Sequence, residues 1–207
     1  MVESIAGQEN LKRHLAQCLS LLGHPFIFVP IVALLVGWHV LTPGEAAFGV
    51  LTIVLACLLP ISIYIFRKVK RREWSDLDVS QRKDRPYLFI VGVTLLILAC
   101  LILHLTHQPP AFVRGCTAAI VLVCSGGLLN FWIKLSMHAG FAMLTSFSLW
   151  PLGAKVAFPM TIFAILVGWS RIILSRHTKL EVVIGLILGA IVAHLFFVLP
   201  LGRLDGG

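Results

Sequence analysis

The sequence has little charge for its length. Only 13% of its 207 residues are charged and 58% are hydrophobic, whereas an ordinary soluble domain carries ~25% charge. A water-soluble core of this length cannot bury so much apolar surface, so an ordinary soluble domain is excluded. The short alternating segments of a membrane β-barrel are also missing. None of the five cysteines forms a CxxC pair, and we interpret them as small packing residues.

The N-terminal stretch lacks the features of a cleavable signal peptide, because its charge is mixed and no small-residue cleavage site follows. Leu11, Leu15, Cys18, Leu19 and Leu22 recur at helical spacing. This pattern predicts an amphipathic helix at the membrane interface that leads into the first span. In such a chain the net charge of +8 reports topology, so we expect no nucleic-acid partner.

Apolar runs fill most of the remaining chain, and their lengths suit a hydrocarbon layer ~30 Å thick. The fifth run would cover only ~21 Å as a helix, so it is either a short span or a tilted half-hairpin. The sequence predicts an all-α, polytopic transmembrane helical bundle of six to seven membrane helices, forming one domain over residues 1–207. The apolar segments are 24–42, 46–66, 87–106, 110–133, 139–152, 156–170 and 181–200.

Positive charge is distributed unevenly along this pattern. If the seven segments alternate across the membrane, one face holds fourteen of the seventeen Lys and Arg, and the other holds Arg114, Lys155 and Arg203. Without the six charges nearest the candidate site, the ratio is eight to three in the same direction. The positive-inside rule therefore predicts an integral protein of the bacterial inner membrane whose N-terminus and candidate site face the cytoplasm.

Three polar clusters fall on that same face, each at the end of an apolar segment. They read RKDRP (82–86), KLSMH (134–138) and SRIILSRHTKLE (170–181). Basic groups that converge at a membrane surface predict an anion site. Simple anchoring is the alternative, and we interpret Arg176 and Lys179 as snorkelling anchors.

His177 and Glu181 are four residues apart and so share one face of a helix. A carboxylate beside an imidazole accepts its N–H, fixes the tautomer and raises the basicity of the other nitrogen. The planar guanidinium of Arg171 suits phosphate oxygens. These groups fit phosphoryl transfer, although the spacing alone leaves anchoring open.

The other two clusters contain groups that complement this pair. Arg85 offers a second guanidinium, Lys83 and Lys134 offer point charges, Ser136 offers a hydroxyl and His138 offers a proton donor. Guanidinium groups that supply the positive field make a metal unnecessary, so we expect no cofactor.

The residue pattern Ser170-Arg171, five residues, His177, three residues, Glu181 resembles the third signature, SR-x5-H-x3-D, of the type-2 phosphatidic acid phosphatase superfamily. This family comprises integral membrane lipid phosphatases and related vanadium haloperoxidases. KLSMH resembles its second signature, PSGH, and RKDRP resembles the end of its first, K-x6-RP. The resemblance covers roughly residues 65–200.

The resemblance implies a metal-independent lipid phosphatase that acts on a phosphomonoester or diphosphate headgroup. It implies that His177 is the nucleophile and forms a phosphohistidine, that Glu181 orients it, and that His138 is the general acid. Many members of the family have outward-facing sites, in contrast with the charge distribution here. The residues that the resemblance assigns to the phosphate are Arg85, Arg171, Ser136, Ser170 and Lys83.

This chain departs from the family pattern at several positions. Asp78 stands where the first signature has lysine, so Lys83 or Arg82 would have to supply that charge. Leu135 and Met137 replace Pro and Gly of the second signature, and Glu181 replaces Asp. We expect the chemistry to survive. Phosphatidic acid, phosphatidylglycerol phosphate and polyprenyl phosphates or diphosphates all remain candidate substrates.

Two other functions stay open at the level of sequence. Asp76, Asp78 and Asp84 could hold Mg²⁺ on a diphosphate, as in an intramembrane prenyltransferase. Alternatively, the basic groups could bind anionic lipid headgroups without catalysis. The oligomeric state leaves no mark on this sequence.

Overall fold

The chain folds into helices connected by short turns. The computed structural model describes residues 2–199, with side chains from residue 7 onward, and no strand occurs in that part of the chain. Arg203 of the charge count lies outside the described residues. The all-helical fold class is confirmed. The helices are α1 (Val2–Leu22), α2 (Pro25–Val40), α3 (Pro43–Ile53), α4 (Leu59–Lys70), α5 (Arg85–Leu105), α6 (Pro110–Leu129), α7 (Met137–Phe147), α8 (Ala154–Ile173) and α9 (Lys179–Ala193).

Two π-helical turns extend helices of this set. The turn Val54–Leu58 joins α3 to α4, and His194–Val198 extends α9. Pro60, which follows the first turn, lacks the N–H that an α-helix would need there, and the wider turn accommodates this without breaking the rod. The result is one continuous helical stretch of 28 residues, Pro43–Lys70.

Five helical stretches are long and apolar enough to cross a membrane, and α1 with α2 would make a sixth, broken one. Helix α7 has eleven residues, ~16 Å of rise, so the fifth apolar segment of the sequence is too short to span. The upper count meets the lower end of the six to seven expected. The five stretches are Pro43–Lys70, Arg82–Leu105, Pro110–Leu129, Ala154–Ile173 and Lys179–Val198.

The surfaces of these helices are apolar. Only 28–33% of each spanning window is buried inside the protein, and side chains such as Leu35, Ile90 and Ile187 are more than half exposed. Exposure of so large a continuous apolar surface to water would be unfavourable, whereas lipid tails would cover it. The chain is therefore an integral membrane protein.

Contacts between helices divide the chain into two units, residues 2–28 with 135–199 and residues 29–134. The first unit, called here the α7 unit, contains α1, α7, α8 and α9. The second, the α5 unit, contains α3 to α6 and most of α2. The single-domain expectation for the chain stays a prediction.

Helix α7 is the interior element of its unit and packs against α8 and α9. Seven of its eleven residues are buried, and most of these are small: Ala139, Gly140, Ala142, Thr145 and Ser146. Protein rather than lipid surrounds this helix, which explains why its apolar pattern is weak and its length is short.

The α5 unit is built around the contact of α5 with α6. Leu103, Phe112 and Cys116 form a buried cluster there. The polar loop after α4 folds back on its own helix, because the buried Trp74 ring lies edge-on to Tyr64 with 5.4 Å between centroids. This loop leads directly into the first polar cluster.

The close approach of α9 to α7 depends on glycine. A Cβ on Gly189 would lie 2.3 Å from the carbonyl oxygen of Gly140 and 3.1 Å from the backbone nitrogen of Leu144. Backbone atoms within a helix cannot move aside as a flexible side chain can. Gly185 and Gly189 form a small-xxx-small pattern, which is typical of close helix contacts in membranes.

We expect Gly189→Ala to destabilise the protein by about 1–3 kcal/mol, because the added methyl group forces the two backbones apart. Thermal unfolding of the purified protein in detergent, followed by intrinsic fluorescence, measures the change. Gly115→Ala in α6 is the control, since nothing lies within 4 Å of that Cβ position. A Gly189→Ala protein that unfolds at the wild-type temperature would contradict the close backbone contact.

Candidate active site

The third polar cluster begins where α8 ends. The chain leaves this helix through Ser175, whose φ of 55° lies in the left-handed region. The Arg176 N–H donates to Arg171 O at 3.0 Å, and the Ser175 N–H donates to Ile172 O at 2.9 Å. This pair of bonds is a Schellman motif. It holds Arg171 in the last turn of α8 and directs the chain towards α9.

A capping box starts α9. Thr178 is the N-cap, and its Oγ1 accepts the N–H of Glu181 at 3.3 Å. In return, the Glu181 carboxylate accepts the N–H of Thr178 through Oε2 at 3.1 Å. Both bonds satisfy backbone donors that the helix leaves without partners. The position of the Glu181 carboxylate is therefore set by the start of the helix.

The same carboxylate oxygen binds the neighbouring imidazole. His177 Nδ1 lies 3.0 Å from Glu181 Oε2, and only 2% of the His177 side chain is exposed. An ionised carboxylate only accepts hydrogen bonds, so Nδ1 carries the proton and, in the neutral ring, Nε2 carries the lone pair. The expected contact between these two residues is present, but the expected shared helix face is wrong. His177 precedes Thr178, the N-cap of α9, so the capping box brings the carboxylate to the imidazole.

The second polar cluster lies against this turn. Ser136 is the N-cap of α7, and its Oγ accepts the N–H of Ala139 at 3.5 Å. Its backbone N–H donates to Glu181 O at 3.2 Å. The second and third clusters are thus brought together within the α7 unit. An N-cap oxygen accepts with a lone pair, so the buried Ser136 hydroxyl can still donate its hydrogen.

Arg171 is buried inside the α7 unit, with 3% of its surface exposed. Its Nη1 donates to Ser20 Oγ of α1 at 2.6 Å. The neighbouring Ser170 is fully buried, and its hydroxyl donates to Val167 O at 2.6 Å within α8. The hydroxyl of Ser170 therefore serves its own helix, and its role towards phosphate stays a prediction of the motif.

His138, in the first turn of α7, has an aromatic neighbour that the sequence did not indicate. The rings of His138 and His24 are perpendicular, with 4.7 Å between centroids. Ser20 was likewise not predicted as a site residue. One signal could have drawn attention to this end of α1: Ala16, Ser20 and Gly23 form a face of small residues, which is typical of close helix packing in membranes.

The first polar cluster lies in the α5 unit. Arg85 is buried at the start of α5, and its Nε donates to Val79 O at 3.2 Å. Arg82 Nε donates to Asn130 O at 2.6 Å, and a second nitrogen of Arg82 donates to Phe131 O. Arg82 therefore binds the C-terminal end of α6. Arg82 and Lys83 are the two residues that could replace the motif lysine, and both are exposed. Lys83 does not make these contacts with the end of α6.

The carboxylate of Asp76 organises the polar loop. Asp76 Oδ1 accepts the N–H of Asp78 at 3.0 Å and the hydroxyl of Ser80 at 2.9 Å, and Oδ2 accepts from Ser75 at 2.8 Å. Asp84 is buried. Among the described residues, Asp76, Asp78 and Asp84 do not gather into one set of metal ligands. This arrangement favours loop organisation over the magnesium site of a prenyltransferase.

The α7 unit thus combines groups suited to binding an anion with a buried imidazole that contacts a carboxylate. The N-termini of α7 and α9 lie next to each other, and each brings the positive end of a helix dipole. Arg171 adds a buried guanidinium on the adjoining turn. An imidazole whose tautomer is fixed by a carboxylate is suited to attack an electrophilic phosphorus.

We expect the Nδ1–H tautomer of His177 to depend on Glu181. In protein labelled with ¹⁵N-histidine, the ring nitrogens of His177 should show a protonated Nδ1 and an unprotonated Nε2. Glu181→Leu should return the ring to the mixture of tautomers that is typical of free imidazole, because the acceptor at Nδ1 is lost. The His177→Gln spectrum assigns the signals.

Glu45 provides the matched control for this prediction. It forms the same capping box with Thr42 at the start of α3, with an Oε2 to backbone N distance of 2.9 Å. Glu45→Leu should leave the His177 signals unchanged. A His177 ring that keeps its tautomer in Glu181→Leu would show that the carboxylate does not set it.

One comparison relates this sequence to a known protein. The chain is similar to undecaprenyl-diphosphatase BcrC of Bacillus subtilis (strain 168), with 24% identity over 149 residues, 72% of this chain and 75% of that protein. No family model matches the chain, and no solved structure matches it. The similarity supports a lipid phosphatase in general terms.

Proposed function

We propose that this chain is a membrane-embedded lipid phosphatase of the type-2 phosphatidic acid phosphatase superfamily. One observation carries the proposal: the His177–Glu181 pair at 3.0 Å and the N-terminus of α7 meet at one turn, through the bond from Ser136 N to Glu181 O. Two polar clusters that lie 32 residues or more apart in sequence are thus in contact, which supports the proposal. An anchoring role for these residues would need neither contact.

In the first half of the proposed reaction, His177 Nε2 attacks the terminal phosphorus of the headgroup. An N–P bond forms as the P–O bond to the leaving oxygen breaks, and His138 gives its proton to that oxygen. Glu181 stabilises the positive imidazolium through Nδ1–H. The products are a phosphohistidine and a dephosphorylated lipid, or a lipid monophosphate when the substrate is a diphosphate.

In the second half, water attacks the phosphohistidine. His138, now neutral, accepts a proton from the water, and the N–P bond breaks with its electron pair returning to His177 Nε2. Inorganic phosphate leaves, and both imidazoles are restored. The atoms and protons balance, with water as the only other reactant. The proposal includes no metal, because guanidinium groups and helix N-termini would supply the positive field.

The phosphate oxygens carry the charge that this site must stabilise. Arg171 and the Ser136 hydroxyl would donate to them, together with the helix N-termini of α7 and α9. Phosphoryl transfer depends mostly on such positioning and electrostatic stabilisation. The resemblance assigns Arg85 and Lys83 to the same phosphate, and that assignment rests on the first signature alone.

The proposed substrate is a lipid with an apolar tail and a phosphate or diphosphate headgroup at the membrane surface. The named activity of the similar protein from Bacillus subtilis favours a polyprenyl diphosphate among the candidates. The exposed apolar flanks of the helices suit a tail that stays in the bilayer. Because most of the positive charge falls on one membrane face, we also propose that the active site faces the cytoplasm.

We expect His177→Asn to lower phosphate release from a polyprenyl diphosphate by at least about 1,000-fold, because no nucleophile remains. Rapid quenching of wild-type protein with substrate labelled in the terminal phosphate should trap label on the protein. This label should be stable in base and lost in acid, as a phosphohistidine is. Phosphatidic acid and phosphatidylglycerol phosphate in parallel assays identify the preferred headgroup.

His194→Asn is the matched control, since His194 is exposed at the opposite end of α9 and should be dispensable. Chelation with EDTA should leave the wild-type rate unchanged. Wild-type turnover by His177→Asn would refute the nucleophile. Activity that EDTA abolishes and Mg²⁺ restores would instead favour a metal-dependent enzyme.

A further inference from the structure

We infer that the C-terminal turn of α1, residues 20–24, is a positioning element of the proposed active site. Ser20 fixes the guanidinium of Arg171, and His24 fixes the ring of His138. This inference rests on the proposed function. It assigns a catalytic contribution to a segment that lies outside the three signatures and that the sequence marks only as an interfacial helix.

The contact between Ser20 and Arg171 is short and buried. Arg171 Nη1 donates to Ser20 Oγ at 2.6 Å, and the two residues are 3% and 8% exposed. A guanidinium is planar, so one fixed nitrogen restricts the orientation of all five N–H groups. Ser20 therefore helps to set the plane in which Arg171 would meet phosphate oxygens.

The contact between His24 and His138 restrains the second imidazole. The His24 ring is itself held, because its Nδ1 accepts the N–H of Phe26 at 3.2 Å. Its plane lies 86° from that of His138, with 4.7 Å between centroids. An edge-to-face contact of this kind fixes ring orientation, which a group that donates a proton to a leaving oxygen requires.

The turn that carries both residues is packed tightly on α8. Ala16 is fully buried, and a Cβ on Gly23 would lie 2.2 Å from Val167 Cγ2. By contrast, Leu11, Leu15 and Leu22 are more than half exposed. The small face of α1 thus packs against protein and the leucine face does not. Because this turn packs so closely on α8, it can hold the side chains of Ser20 and His24 in the fixed positions that catalysis needs.

Loss of Ser20 and loss of His24 should change the kinetics differently, because the two residues act through different groups. Loss of Ser20 would weaken stabilisation of charge on the phosphate, which every substrate requires. Loss of His24 would weaken protonation of the leaving oxygen, which matters for an alkoxide and little for a nitrophenolate. A residue that only stabilises the fold would change neither kcat relative to KM nor the rate on an alkoxide substrate relative to a nitrophenolate substrate.

We expect Ser20→Ala to lower kcat by about 10- to 100-fold with little change in KM, because a misplaced Arg171 loses interactions made in the transition state. Orthovanadate, which mimics the five-coordinate phosphorus, should bind more weakly to the variant by a similar factor. Ser20→Thr keeps the hydroxyl and should retain most of the activity. The substrate is the lipid phosphate or diphosphate that the wild type hydrolyses fastest.

Ser146→Ala controls for the loss of a buried serine. Ser146 is fully buried and donates to Met160 O at 2.7 Å at the far end of α7. It should cost similar thermal stability and leave kcat unchanged. In an Arg171→Lys background, Ser20→Ala should have less than about a 2-fold further effect, because the two residues act as one unit. A full, multiplicative loss in that background would overturn the inference for Ser20.

We expect His24→Ala to slow hydrolysis of dioctanoyl phosphatidic acid about 10-fold and of p-nitrophenyl phosphate less than about 2-fold, since only the alkoxide needs the general acid. His24→Phe keeps the ring contact and should restore most of the rate. Equal losses on both substrates, or no loss on either, would overturn the inference for His24.

The outcomes separate this inference from the proposed function. If the wild type releases no phosphate, or if Arg171→Lys and His138→Asn are both fully active, the proposed function fails. If those variants are inactive or slow while Ser20→Ala and His24→Ala match the wild type, only the inference about α1 fails. Cys18→Ala, on the exposed side of the same helix turn, should match the wild type in every assay.

Discussion

One carboxylate oxygen organises the proposed site. Glu181 Oε2 accepts both the backbone N–H of Thr178 and the Nδ1–H of His177, so the start of α9 and the orientation of the imidazole are fixed together. The capping box already restricts the position of the carboxylate, so the bond to His177 requires little further loss of side-chain freedom. The positive end of the helix dipole also favours a negative charge at this position. Helix formation and preparation of the proposed nucleophile are thus one physical event.

Membrane insertion explains why the site is made from helix ends. Irregular backbone is not tolerated where it faces lipid, so polar chemistry is confined to turns and to the N-termini and C-termini of helices. Within the α7 unit, the backbone contact of Gly189 with Gly140 brings α9 against α7, and the Ser136 N–H reaches Glu181 O at their shared end. Small residues along the helices therefore determine the distance between polar groups at their ends.

Local pattern predicted one part of this arrangement, and long-range packing determined the rest. The contact of His177 with Glu181 was predicted from a shared helix face, whereas His177 precedes the N-cap of α9 and the capping box makes the contact. The apolar runs correctly indicated helices. The contact of Arg171 with Ser20 joins residues 151 positions apart, and no local period encodes it. Helix α7 was hard to assign because a helix buried among protein needs small residues, not the long apolar run of a span. Arg82 was a candidate for phosphate because sequence shows its charge but not the carbonyl groups of Asn130 and Phe131 that it binds.

The departures from the family signatures become intelligible in this geometry. A capping box requires Glu or Gln three residues after the N-cap, and Thr178 with Glu181 meets that requirement. The glutamate is one methylene longer than aspartate, which lets one oxygen reach back to the Thr178 N–H while it binds His177. Met137 replaces a glycine without strain because it is the first residue of α7 and follows an N-cap serine in extended conformation. Within the second and third signatures, the substitutions therefore change how the backbone presents the site, while the groups proposed to meet phosphorus and its oxygens are retained. The lysine of the first signature, where Asp78 stands, is not retained.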